Sequence, residues 1–206
     1  FLKVLRDDSG NHVSMVQRVY EQIQRIPAKV DVTIATSIFQ KHSIESQVTG
    51  DYELVLEPER RDTAPAIMLA CAHLRTEQKA GLDDTVIVMP IDTFANQEYF
   101  NKVIELDAAV QKGVSDLVLL GVRPVYPSEK FGYIVPLPSC SPVRHVQHFV
   151  EKPSEKEAKE LIREGALWNC GVFAFRLGYL INLTDGYSVE GNYVAMVKGY
   201  NSLPKR

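Results

Sequence analysis

No apolar run in this chain approaches the ~20 residues that cross a bilayer, and its amino end lacks the basic-then-apolar succession of a signal peptide. A membrane span or a secreted form therefore has nothing to rest on, and the expected compartment is the cytoplasm. Cysteine is scarce as well. Cys71, Cys140 and Cys170 are odd in number and no two stand at CxxC spacing, so the expectation is buried, reduced thiols rather than a disulfide framework. Charge of one sign is missing too. Lys+Arg 23 against Asp+Glu 26 leaves a net charge of −3, without the basic excess of a dedicated nucleic-acid binder. No Gly-rich loop of the Walker type is present, which disfavours a P-loop kinase or GTPase. His145 and His148 invite a zinc reading, but residues three apart on a strand point to opposite faces.

What is present is an ordinary supply of core: 206 residues, 45% of them apolar, enough for one domain over residues 1–206. Ser14 and Gln17 form a capping box ahead of Val16, Val19, Tyr20, Ile23 and Ile26, which repeat at helical spacing up to Pro27. VDVTIA at 30–35 predicts a strand, with a short helix capped by Ser37 running to Gln47. A strand at 52–56 leads into a helix at 64–77, with Thr63 as its N-cap and Pro65 in its first turn. TVIVMP at 85–90 and DLVLLGV at 116–122 predict strands of the kind buried on both faces of a parallel sheet, separated by a helix at 97–112. Two further strands at 131–136 and 146–150 predict an antiparallel excursion. A helix capped by Ser154, a strand at 167–175 and a short helix at 177–183 follow. Alternating strands and helices imply a doubly wound α/β body.

In such a body, ligands sit at the carboxyl ends of strands. Three polar clusters fall there: residues 57–63, residues 92–96, and Glu151-Lys152-Pro153. Asp92 directly follows a central strand, a good mount for a hard cation such as Mg²⁺, although Asp also caps loops of this type. Lys152 can set an ammonium against a phosphate and Glu151 can accept from hydroxyls; an ordinary surface ion pair is the competing reading. At Glu57-Pro58-Glu59-Arg60-Arg61-Asp62 the turn ends at a helix start, whose N–H groups favour negative charge or base edges. Arg60 and Arg61 offer forked donors to phosphate. A carboxylate such as Glu57 can pair with the N1–H and N2–H₂ donors of guanine. A self-neutralising solvated loop is the bland alternative.

Six segments in order, FLKVL, EPERRDTAPAI, VIVMPIDTF, FGYI, FVEKP and GALWNCGVFAFR, give the chain a close resemblance to the bacterial mannose-1-phosphate guanylyltransferases, within the sugar-phosphate nucleotidyltransferases. The resemblance implies a Rossmann-like three-layer α/β/α fold with a mostly parallel mixed sheet and a small antiparallel excursion. It also implies a reaction joining GTP and mannose 1-phosphate into GDP-mannose with release of pyrophosphate, assisted by Mg²⁺. On the matching positions, Glu57, Pro58, Arg61, Thr63, Ala64 and Pro65 would line the nucleotide pocket, and Asp92 would hold the metal. Gly132, Glu151, Asn169 and Gly171 would meet the sugar, and Lys152 its phosphate. A homodimer is left open.

The chain departs from the pattern in three ways. The family's GGxGxRLxPLS signature is expected ahead of Phe1 and a second metal aspartate beyond Arg206. The usual Pro-Ala-Asp-His reads Pro90-Ile91-Asp92-Thr93, which keeps the acid and loses the histidine. With a strand-like start at FLKVL and an end at residues 203–206 without a closing element, the expectation is a piece of a longer protein, nearly inactive alone. The competing functions are another hexose-1-phosphate nucleotidyl transfer and a silent nucleotide-sugar sensor.

Overall fold

The computed structural model describes residues 1–7, 9–184 and 193–200; the closing residues 203–206 lie outside them. A short hairpin, β1 (Leu5–Arg6) with β2 (His12–Val13), opens the chain. It leads into α1 (Met15–Gln24), where the capping box forms as the sequence predicts: Ser14 N–H donates to Gln17 Oε1 at 3.0 Å, and Gln17 N–H donates back to Ser14 Oγ at 3.4 Å. β3 (Thr33–Ser37) and β4 (Glu53–Glu57) pair in parallel, with Thr33 opposite Glu53 and Ser37 opposite Glu57. The expected strand at 30–35 therefore begins and ends later, because β4 sets the register. The helix after Ser37 is also shorter than expected: a 3₁₀ turn (Ile38–Gln40) and then α2 (Lys41–Glu45), with no side-chain bond from Ser37.

α3 (Thr63–Thr76) follows β4. Its N-cap is Asp62, not Thr63, and Asp62 sits at φ 84°, ψ 176°, a region that side chains rarely enter. Leu69, Cys71 and Ala72 of α3 are buried. Leu69 packs on Val55 of β4, and Cys71 on Phe175, so this helix spans both sheets. Burying a leucine of this kind stabilises by about 1.5–3 kcal/mol.

The larger sheet is built around β9 (Leu167–Arg176). β5 (Thr85–Val88), β6 (Leu117–Val122) and β7 (Gly132–Pro136) all run antiparallel to it and so share one direction, and β8 (Val146–Glu151) pairs antiparallel with β7. Direct parallel pairing is confined to β3–β4 among the described residues. β5 is only half-buried and is not covered fully on both faces. Along β9, Cys170, Val172 and Ala174 face α4 (Gln97–Gln111), while Phe173 and Phe175 face α3 and α6 (Leu177–Thr184). α5 (Glu155–Arg163), capped by Ser154, packs on Tyr133 and Ala166. Helices on both faces of a sheet make the three-layer α/β/α arrangement. α7 (Tyr193–Tyr200), unexpected from the sequence, packs against α3 and β4. No described helix is long and apolar enough to cross a membrane.

Candidate active site

The register of β9 makes an opening. β5 leaves β9 at Val88, opposite Phe173, whereas β7 joins it only at Tyr133, opposite Trp168. Between them, residues 169–172 pair with neither β5 nor β7 among the described residues, and the β6 ladder shifts register there, from Leu119 opposite Phe173 to Gly121 opposite Asn169. Gly171 adopts φ 73° there, and a β-carbon on it would lie 3.8 Å from Pro90 at the end of β5. Asn169 Oδ1 accepts from Gly171 N–H at 3.1 Å and holds the turn.

Of the expected sugar-side residues, Asn169 and Gly171 lie in this opening, and Gly132 and Glu151 lie beside one another where β7 begins. Gly132 stands opposite Glu151 in the β7–β8 ladder, one residue before the Tyr133–Trp168 pair that joins β7 to β9. A β-carbon on Gly132 would meet Phe149 Cζ at 2.3 Å and Glu151 Oε2 at 2.7 Å, so the absence of a side chain leaves room for both. Lys152 turns the chain away at φ 47°, its N–H donating to the Phe131 carbonyl at 3.3 Å. A non-glycine residue held in left-handed backbone costs about 1–2 kcal/mol, and such residues cluster at functional sites. Lys152 Nζ lies 3.5 Å from Glu151 Oε1 with the two side chains 64% and 56% exposed. A pair so exposed contributes about 0–1 kcal/mol at most, leaving the ammonium available to another anion.

Asp92 follows Pro90 by two residues and is exposed. Ile91 beside it packs into the core under β3 and β4, which ties the tip of β5 to the smaller sheet. α1 fixes the loop beyond: Gln22 Nε2 donates to the Ala95 carbonyl at 3.0 Å, Arg18 reaches the same oxygen at 3.4 Å, and the Arg18 guanidinium lies 4.8 Å above the Phe94 ring. Asn96 Oδ1 then accepts from Tyr99 N–H and starts α4. These supports act across more than 70 residues and leave no local mark in the sequence.

Glu57 ends β4, in parallel with Ser37 at the end of β3. Its Oε1 accepts a 2.7 Å hydrogen bond from the hydroxyl of Tyr200 on α7. Pro58 and Pro65 are half-buried, and Thr63 and Ala64 are exposed at the start of α3. Arg61 differs from the expectation of a phosphate-facing guanidinium. Its side chain is only 2% exposed and donates to Glu59 at 2.9 Å, so it is turned into the protein and braces the loop. Arg60 stays exposed.

The described residues contain no cluster of three His, Cys, Asp or Glu that would hold a metal by itself. A cavity of about 370 Å³ lies at the opposite end of the sheet, lined by Asp83, Asp116 and Arg176 among others. Its arginine already engages Asp83 at 2.8 Å and the Gln111 carbonyl at 3.3 Å, far along β9 from Asn169.

The family model for nucleotidyl transferases matches residues 9–196. The chain is similar to the alginate biosynthesis protein AlgA of Pseudomonas aeruginosa, 35% identical over 144 residues, covering 66% of this chain and 28% of that protein. It is also similar to the mannose-1-phosphate guanylyltransferase ManC of Salmonella typhimurium, 36% identical over 132 residues, covering 61% of this chain and 27% of ManC. The chain thus spans little more than a quarter of these curated relatives. Among solved structures, a Thermus thermophilus protein described as mannose-1-phosphate geranyltransferase superposes with a TM-score of 0.75 at 26% identity, over 97% of this chain and 60% of the other. A sheet with helices on both faces, open at its strand tips, and a family match across most of its length lead to one conclusion: this chain belongs to the nucleotidyl transferase family.

Proposed function

We propose that the chain carries the base-reading and sugar-phosphate parts of a mannose-1-phosphate guanylyltransferase, which transfers a guanylyl group from GTP to mannose 1-phosphate and releases pyrophosphate. The observation that supports this reading is the Glu151–Lys152 pair beside the bare Gly132, at the joint where β7 meets β9 and the β9 ladder opens, with Gly171 approaching Pro90 beyond the end of β5. The similarity to ManC, a mannose-1-phosphate guanylyltransferase, supports the choice of guanine and mannose.

The chemistry asks for holding and charge compensation. A sugar-phosphate oxygen, already ionised near neutral pH, attacks the α-phosphorus in line, and the bond to pyrophosphate breaks. No general base is required, in keeping with the lack of a Ser-His or Cys-His arrangement in the sequence. Glu151 and Asn169 would accept and donate to hexose hydroxyls beside the bare surface of Gly132. Lys152 would neutralise the sugar phosphate as a point charge. Glu57 would take the two adjacent N–H donors of guanine, and the exposed start of α3 would offer backbone N–H groups nearby.

Mg²⁺ takes one or two carboxylates and completes its shell with substrate phosphates and water. A single exposed carboxylate such as Asp92 fits that demand, and so does the lack of a three-ligand cage among the described residues. When bound, Mg²⁺ supplies charge neutralisation on the reacting phosphates.

Pyrophosphate release by the full-length protein, measured with GTP, ATP, mannose 1-phosphate and glucose 1-phosphate in all pairings, tests the reading. Turnover confined to GTP with mannose 1-phosphate is expected. A preference for another base would remove the role given to Glu57, and a preference for another hexose would remove the sugar assignment.

A further inference from the structure

Tyr200 is 1% exposed, at the end of α7, and is seated among Val55, Leu69, Ala72 and Met196. α7 is pinned to α3 by an edge contact between His73 and Tyr193 with ring centroids 5.0 Å apart. From this apolar seat the Tyr200 hydroxyl donates to Glu57 Oε1 at 2.7 Å, across 143 positions of chain. Burial first, and then the bond to Glu57, push the phenol well above its ordinary range, so it stays protonated and can act only as the donor to the carboxylate. A carboxylate so held loses its freedom to swing about its last torsion.

We propose that Tyr200 is a positioning residue for base selection: by fixing Oε1 of Glu57 it aims the remaining acceptor capacity of the carboxylate at the paired N–H donors of guanine. The inference rests on the reading of Glu57 as the base-contacting group. Guanine offers N1–H and N2–H₂ side by side, whereas adenine presents a lone pair and a C–H at the corresponding edge. A fixed acceptor facing that edge is left unsatisfied by adenine, and rejection by unsatisfied polar groups is steep. A carboxylate free to rotate would discriminate less, since it could turn to water when the wrong base enters.

The test uses Tyr200→Phe, which keeps the ring in its seat and removes only the hydroxyl, beside Glu57→Gln and the double variant. Dissociation constants of GTP and ATP are measured on the full chain, together with thermal melting. Tyr200→Phe is expected to weaken GTP about tenfold, the order of one hydrogen bond to a charged group, with ATP affinity unchanged. In the double variant it should add little to the loss from Glu57→Gln. Unchanged or tighter GTP binding by Tyr200→Phe, with Glu57→Gln still losing GTP preference, would overturn the role of Tyr200 alone. Parallel loss of both nucleotides would mark a packing role and overturn it equally. An unaltered GTP preference in Glu57→Gln would instead fail the base-reading assignment itself.

Discussion

Glu151 faces Gly132 across the β7–β8 ladder, with its Oε2 2.7 Å from the point a β-carbon on Gly132 would occupy. The carboxylate thus rests on the space that glycine leaves open. The atoms a methyl group would strike, Phe149 Cζ and Glu151 Oε2, are the far ends of exposed side chains that can swing outward. Gly132→Ala should therefore keep the fold, with a stability change under about 1 kcal/mol. It should raise the KM for sugar phosphate about tenfold or more, because displacement of a positioning group by an ångström is costly. Urea unfolding and steady-state kinetics check both halves; a large loss of stability with an unchanged KM would contradict the account.

Asp92→Asn keeps the size of the side chain and removes its charge. The proposed metal role predicts loss of Mg²⁺-dependent turnover by at least about a hundredfold, on the order of a lost charge interaction at a reacting phosphate. Unchanged turnover across a Mg²⁺ titration would reduce Asp92 to a loop cap.

The loop after Asp92 depends on α1. Gln22→Leu removes the 3.0 Å bond to the Ala95 carbonyl from a side chain only 5% exposed. A loss of about 1–2 kcal/mol is expected, with faster amide exchange confined first to the residues around Ala95. Uniform exchange across the chain would show that α1 does not hold this loop.

Stability should fall in alkaline solution. Burial pushes the Cys71 thiol up from its ordinary 9.0 to about 12. Above pH 9 the unfolded chain releases a proton that the folded one keeps, so the unfolded state binds fewer protons. The stabilisation is complete below that point and is lost as pH rises toward 12, with a slope of about 1.4 kcal/mol per pH unit from this group. Cys71→Ala should flatten part of the decline in urea-unfolding free energy between pH 9 and 11. An equally steep decline in the variant would assign the effect to Tyr20 and Tyr99, whose phenols are also raised, chiefly by burial.

Much of the fold was legible in the sequence because its signals are local. Capping oxygens at Ser14 and Ser154 and apolar runs such as TVIV mark elements without reference to the rest of the chain, and polar clusters at strand ends mark the tips. Pairing was not legible. Nothing within LWNCGVFAFR says that β5, β6 and β7 will all align on it, or that the ladder will open at Asn169. The shift of the first long strand to Thr33–Ser37 likewise follows from its partner, since Glu53 N–H donates to the Val32 carbonyl and starts the ladder there. Arg61 read as a surface cation because its neighbours are charged, yet Glu59 and the packed turn draw it inward. Tyr200 carried no signal at all; its partner lies 143 residues away.

The most direct measurement is steady-state pyrophosphate release by the full-length protein carrying Lys152→Ala, with GTP and mannose 1-phosphate varied separately. Loss of the ammonium should raise the KM for mannose 1-phosphate by about tenfold to a hundredfold while the KM for GTP stays within about twofold. Equal losses for both substrates, or none for either, would contradict the placement of the sugar phosphate at the end of β8.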